Sequence, residues 1–121
     1  MNDKNPILER SIEFALQAIK MSDKLRKSGQ LEIKNQFIRS GTSIGANIHE
    51  AQYGSSTADF LHKLKIARKE ANEVKYWITL CNRSPHLPNA EYLMEEIESI
   101  RKILSSIILN TERNQKKKGK E

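Results

Sequence analysis

His49-Glu50 is the first place in this chain where catalysis is conceivable, because a Glu beside a His is half of a zinc-peptidase pattern. That pattern needs a second His at position 53, which is Tyr, so the ion would lack a ligand. His49, His62 and His86 fall on three different segments, none with a His or Cys at ligand spacing. A di-iron bundle would need Glu-x-x-His, and the residues three beyond Glu50 and Glu73 are Tyr53 and Tyr76. No metal site and no cofactor is expected. Cys81 is the one cysteine, and it falls near a helix C-terminus, where the dipole raises a thiol pKa. An inert thiol is expected, and catalytic residues: none. Gly41 and Gly45 sit inside a helical pattern rather than after a strand, so they form no phosphate-cradling loop. These residues describe a protein that is not an enzyme.

Two other groups carry more information. Asn47, Glu50, Arg68, Glu70 and Glu73 adjoin apolar stripes on two consecutive helical segments. They form either a recognition pocket or a hydrogen-bonded network that fixes helix register. Basic residues cluster at Lys20, Lys24, Arg26 and Lys27, and again at Lys63, Lys65, Arg68 and Lys69. Cations late in a helix complement its dipole, which explains the first cluster without a ligand; the second lies early in its helix and has no such explanation. If the two surfaces are contiguous, or multiplied by assembly, they form a nucleic-acid-binding patch. Tyr76 and Trp77 are core-like and are expected to pack.

The elements that position these groups are four amphipathic helices. Asn5 caps a first helix with Pro6 at its first position, and Gly29 ends it after Lys27. It carries two apolar seams: Leu8, Ile12, Ala15, Ile19 and Ser22, and Ile7, Ser11, Phe14, Ala18, Met21 and Leu25. Two seams suit either a broad core face or a second surface packed on another subunit. A second helix spans 31–53, with Phe37, Ile44, Ile48 and Ala51 on one stripe. Gly41 and Gly45 each cost a helix about 1 kcal/mol, so either a neighbouring helix approaches closely or the helix breaks there. Ser56 or Thr57 caps a third helix running to about Asn82, with Phe60, Leu64, Ala67, Ala71, Val74 and Ile78 as its seam. Ser84-Pro85-His86-Leu87-Pro88 breaks the chain. A fourth helix starts near Asn89 and continues through Leu93, Ile97, Ile100, Leu104 and Ile107, widened by Ile103 and Ile108.

Short connections between long helices imply an all-α, antiparallel up-down-up-down four-helix bundle. It should occupy residues 1–112, leaving 113–121 as a basic, disordered tail. At 121 residues there is room for one domain. The single cysteine and the lack of a signal-like or membrane-length apolar run place it in the cytoplasm. The net charge is +6, and half of it comes from the last six residues, four lysines against one glutamate. Such a tail either holds phosphates without sequence preference or merely keeps the chain soluble.

The stretch Ser43-Ile44-Gly45-Ala46-Asn47-Ile48-His49-Glu50-Ala51, with Asp59-Phe60 and Ile66-Ala67-Arg68-Lys69-Glu70-Ala71, resembles a bacterial four-helix-bundle family. That family comprises the proteins encoded by intervening sequences in 23S ribosomal RNA genes. Its motif positions here are Ser43, Asn47, Glu50 and Glu70, and they are read as structural. The resemblance implies a homopentameric, barrel-like assembly. It also implies kinship with the accessory variability protein of diversity-generating retroelements, which binds nucleic acid and a reverse transcriptase as a basic pentamer. The function expected is therefore a non-enzymatic oligomeric bundle that binds ribosomal or other structured RNA, or another nucleic acid, through a basic surface. The alternative is a protein–protein adaptor or scaffold. In a lone chain the wide helix faces around Phe14, Met21, Ile103 and Ile108 should stay partly exposed until neighbouring copies cover them.

Overall fold

The computed structural model describes residues 5–119 and consists of four helices: α1 (Pro6–Lys27), α2 (Leu31–Ala51), α3 (Thr57–Arg83) and α4 (Glu91–Gly119). Local chemistry sets their ends. The Asn5 side chain accepts the Leu8 N–H at 3.2 Å, and Pro6 follows it at the first helical position. Gly29 adopts φ 81°, which lets the amide of Gln30 reach back to the Leu25 carbonyl at 3.0 Å and close α1. Ser56 Oγ accepts the Asp59 N–H at 3.1 Å, while the Asp59 carboxylate accepts from Ser55, so the start of α3 is capped from both directions. In the last connection, Asn82 Oδ1 accepts the Ala90 N–H at 2.8 Å and holds α4 against the end of α3.

Each helix packs antiparallel on the next, and α4 returns to α1. The core combines Phe14, Met21 and Leu25 with Phe37, Ile44 and Ile48, Val74 and Ile78, and Ile97, Ile100 and Leu104. Small residues set the distance between α1 and α2. A Cβ placed on Gly41 would lie 2.6 Å from the Ala18 Cβ, and one on Gly45 would lie 3.0 Å from Ser11 Oγ. The glycines therefore serve close approach, and α2 runs through them as one helix rather than breaking.

Several expectations change in detail. Helix α2 ends at Ala51, since 52–53 form a turn. On α3, Leu61 takes the buried position and Phe60 is half-buried beside it. Phe14, Met21 and Ile108 lie in the core, and Ile103 is half-buried, so they do not form the exposed apolar face expected of a lone chain. That face exists elsewhere on α1: Ile12, Leu16 and Ile19 are 41%, 48% and 46% exposed. Of the segment expected to be a disordered tail, 113–119 continues α4 as helix; 120–121 lie outside the described residues. Residues lining a shallow surface groove, Thr57, Asn114 and Lys118 among them, place these turns beside the start of α3. Among the described residues no helix is long and apolar enough to cross a membrane.

Candidate nucleic-acid interface

The antiparallel topology separates the two basic clusters instead of joining them. Lys24 lies over the ring of Tyr92, 5.3 Å from its centroid, at the start of α4. Lys65 pairs with Glu112 at 3.1 Å, near the end of α4. Those α4 positions are about 30 Å apart at the 1.5 Å rise of a helix. The α1 cluster is also largely engaged: Arg26 and Lys27 both pair with Asp23, at 2.7 and 3.1 Å, leaving Lys20 exposed without an ion pair among the described residues. These two cations hold the Asp23 carboxyl below its usual pKa. The expectation of one contiguous patch spanning Lys20, Lys24, Arg26 and Lys27 together with Lys63, Lys65, Arg68 and Lys69 fails for a single chain. A bundle with consecutive antiparallel helices places the end of α1 and the start of α3 at opposite ends.

A different basic surface takes its place. Near Lys65, the last turns of α4 carry Arg113, Lys116, Lys117 and Lys118, all exposed. Lys69 is exposed on α3 and Arg68 half-buried, and neither forms an ion pair among the described residues. Lys63 lies on the same half of α3 but pairs with Glu50 of α2 at 2.8 Å. That lysine holds the Glu50 carboxyl below its ordinary pKa. Glu112 is the one carboxylate in 109–119. Sequence reasoning counted these α4 cations as a tail; the helical continuation makes them a surface of fixed spacing.

The polar motif residues act within the bundle. Asn47 donates to the Ser43 carbonyl at 2.8 Å, and Ser43 donates to that of Arg39 at 2.6 Å, both within α2. Glu70 and Glu73 do not meet Asn47. Their partner is Arg39, a residue the sequence reading passed over, which pairs with Glu70 at 3.1 Å and with Glu73. Trp77 Nε1 donates to Glu73 at 3.2 Å, so the indole completes the clamp between α2 and α3. Burial pushes the Glu73 carboxyl up, but hydrogen bonds from Arg39 and Trp77 outweigh it and leave Glu73 below its usual value. Helical register was the missing signal: stepping about three turns back along α2 from Glu50, and three forward along α3 from Lys63, reaches Arg39 and Glu73. Arg68 takes no part in this clamp.

The described residues assemble no catalytic constellation. Cys81 is buried, and burial pushes its thiol pKa up. His49 stacks obliquely on Tyr53, with ring centroids 5.3 Å apart. No group of three or more His, Cys, Asp or Glu among the described residues is placed to hold a metal ion.

Comparison with known proteins agrees with this architecture. Residues 3–106 match the family described as 23S rRNA-intervening sequence protein. A similar fold occurs in a crystallised protein of unknown function from the S23 ribosomal protein family of Bacteroides thetaiotaomicron, with a TM-score of 0.80 and 40% sequence identity. The similarity covers 84% of this chain and 97% of that one. No curated protein matches it. With the four helices in place and most of the chain matched, the protein belongs to the 23S rRNA-intervening sequence protein family.

Proposed function

We propose that the protein works without catalysis, as a homo-oligomeric bundle that binds structured RNA or another nucleic acid at one basic end. The observation that supports this is the continuation of α4 as helix through exposed Arg113, Lys116, Lys117 and Lys118 beside the first turns of α3, where Lys65 meets Glu112 and Lys69 follows one turn farther along α3. Cations held on two packed helices meet a phosphate backbone with less ordering cost than the same residues in a flexible tail. Screening limits each charge to about 8 Å at physiological salt, so several cations on one surface matter more than the total for the chain. Lys20, Lys24, Arg26 and Lys27, at the other end, make at most a secondary contact.

Binding to a ribosomal RNA fragment, measured across a salt series, tests the proposal. With about five phosphate contacts, log K should fall against log salt with a slope of about −4. Replacing Lys65 and Lys69 by Glu should weaken binding to all sequences and flatten that slope by about 1 per lost contact. Removing 116–121 in a separate variant should do the same. If neither change alters binding, or if the intact protein binds no RNA at low salt, the adaptor or scaffold reading replaces this one.

A further inference from the structure

Tyr76, expected to pack in the core, is instead 56% exposed. It ends a stripe of α3 made by His62, Lys65, Lys69, Asn72 and Tyr76, all exposed and each three or four residues from the next. The stripe faces away from the buried seam of Leu64, Ala67, Ala71, Val74 and Ile78. From Lys65 to Tyr76 it is about 16 Å long at the 1.5 Å rise of a helix. The Tyr76 ring rests edge-on against the indole of Trp77, with centroids 5.2 Å apart and planes at 70°. That indole is held in turn by its N–H bond to Glu73, whose carboxylate also takes Arg39 of α2. The clamp between α2 and α3 therefore supports an aromatic ring at the surface. Glu70 and Glu73 are the carboxylates of α3 between Lys65 and Tyr76, and Arg39 engages both. On the neighbouring helix Glu98 is taken by Lys75 and Arg101. An anionic chain passing Lys65 and Lys69 thus meets no unpaired carboxylate of α3 before it reaches the ring.

We propose that this stripe takes an unpaired stretch of nucleic acid, with phosphates at Lys65 and Lys69 and a base stacked on the ring of Tyr76. This rests on the basic surface proposed above and adds which form of nucleic acid that surface takes. A cationic track that ends in an aromatic platform holds single strands of any sequence, because every base has a π-face. A duplex buries its base faces in its own stack and gains nothing from Tyr76, whereas a loop or bulge leaves them open. Lys65 must exchange Glu112 for the phosphate, and an exposed ion pair of that kind costs about 1 kcal/mol or less to give up. Trp77 keeps the ring in place, so little ordering is left to be done when a base arrives.

The chain's one tryptophan, Trp77, touches the platform and reports on it. The test titrates the full-length protein at low salt with a short oligoadenylate, and separately with a fully paired RNA hairpin carrying as many phosphates. Anisotropy of the labelled RNA follows binding, and Trp77 fluorescence follows stacking. Quenching is expected with the single strand and not with the hairpin. Tyr76→Ala should weaken the single strand about 5- to 150-fold, the range for losing one base–aromatic stack, and leave the hairpin unchanged. Tyr76→Phe should restore binding, since stacking needs the ring and not the hydroxyl. Stacking carries no charge, so Tyr76→Ala should keep the slope of log K against log salt, which the Lys65 and Lys69 reversals flatten. If both RNAs bind, Trp77 is not quenched and Tyr76→Ala changes neither affinity, the platform is overturned while the basic surface stands. If neither RNA binds at low salt, both are overturned.

Discussion

Adding one methyl group at Gly41 should destabilise this protein, although the same change stabilises most helices. Built on the α2 backbone, the new Cβ would sit 2.6 Å from the Ala18 Cβ, with Val74 Cγ2 at 3.7 Å. Carbon atoms rest at about 3.5–4.0 Å, so the contact is short by about 1 Å. Ala18 has no side-chain torsion with which to move aside, and its own exposure is zero. The backbones of α1 and α2 must therefore separate. Overpacking of this kind costs about 1–3 kcal/mol, against a gain of about 1 kcal/mol from replacing glycine in a helix. The net loss for Gly41→Ala is about 1 kcal/mol, a fall in Tm of about 3–6 °C for a chain of this size. Thermal unfolding followed by circular dichroism, at one fixed protein concentration, measures it. Ala18→Gly removes the opposing methyl, so the double variant should show a favourable coupling of about 1 kcal/mol in a double-mutant cycle. A Tm that rises in Gly41→Ala, or a coupling near zero, would refute the close-approach argument. Gly45→Leu should be worse than Gly45→Ala at the same seam, because the Ser11 hydroxyl at 3.0 Å can give way to a methyl but not to an isobutyl group.

Two further predictions concern helix ends and acid. Ser56→Ala should lose about 1 kcal/mol by leaving the Asp59 amide without its cap, read as a lower urea midpoint with an unchanged slope. Lys75 and Arg101 hold the Glu98 carboxyl down at about 2 in the folded protein. A depressed carboxyl pKa contributes stability above the unfolded value of 4.5, and that contribution disappears as pH falls from there through about 2. Glu98→Gln should therefore lower Tm at neutral pH and make the decline in Tm between those limits shallower; parallel curves for the two proteins would contradict the assignment.

The elements of the fold were legible because their signals are local. Asn5 before Pro6, Gly29 after Lys27, and Ser56 with Asp59 three residues later each act within one turn of chain. The seam of α3 was nearly correct for the same reason. Rotation about a helix axis is not local. Helix α1 has aliphatic residues on more than half its circumference, and only its packing on two neighbours decides that Phe14 and Met21 turn inward while Ile12, Leu16 and Ile19 do not. The candidate site suffered from the same limit. Composition identified the cations, but pairing Lys63 with Glu50, Lys65 with Glu112 and Arg39 with two glutamates depends on register between helices. The end of α4 was misread on charge alone. Three lysines at a helix C-terminus suit its dipole, and residues near the start of α3 lie alongside.

The buried hydroxyls of α1 and α2 have a consequence for how far related sequences can drift. Ser11 donates to the Leu8 carbonyl at 2.7 Å, Ser22 to Ala18 at 2.8 Å, and Ser40 to Gln36 at 2.7 Å. Each bond closes within its own helix, so no hydroxyl ties α1 to α2. Losing one strands no buried donor on the neighbouring helix, because the carbonyl it served already takes part in the helical ladder. Exchange among Ser, Ala and Gly at such positions alters volume by little and orphans nothing. What descent must preserve along this seam is the sum of the sizes facing each other, not the letters. Two chains can therefore share this helix pair while little of their seam remains identical.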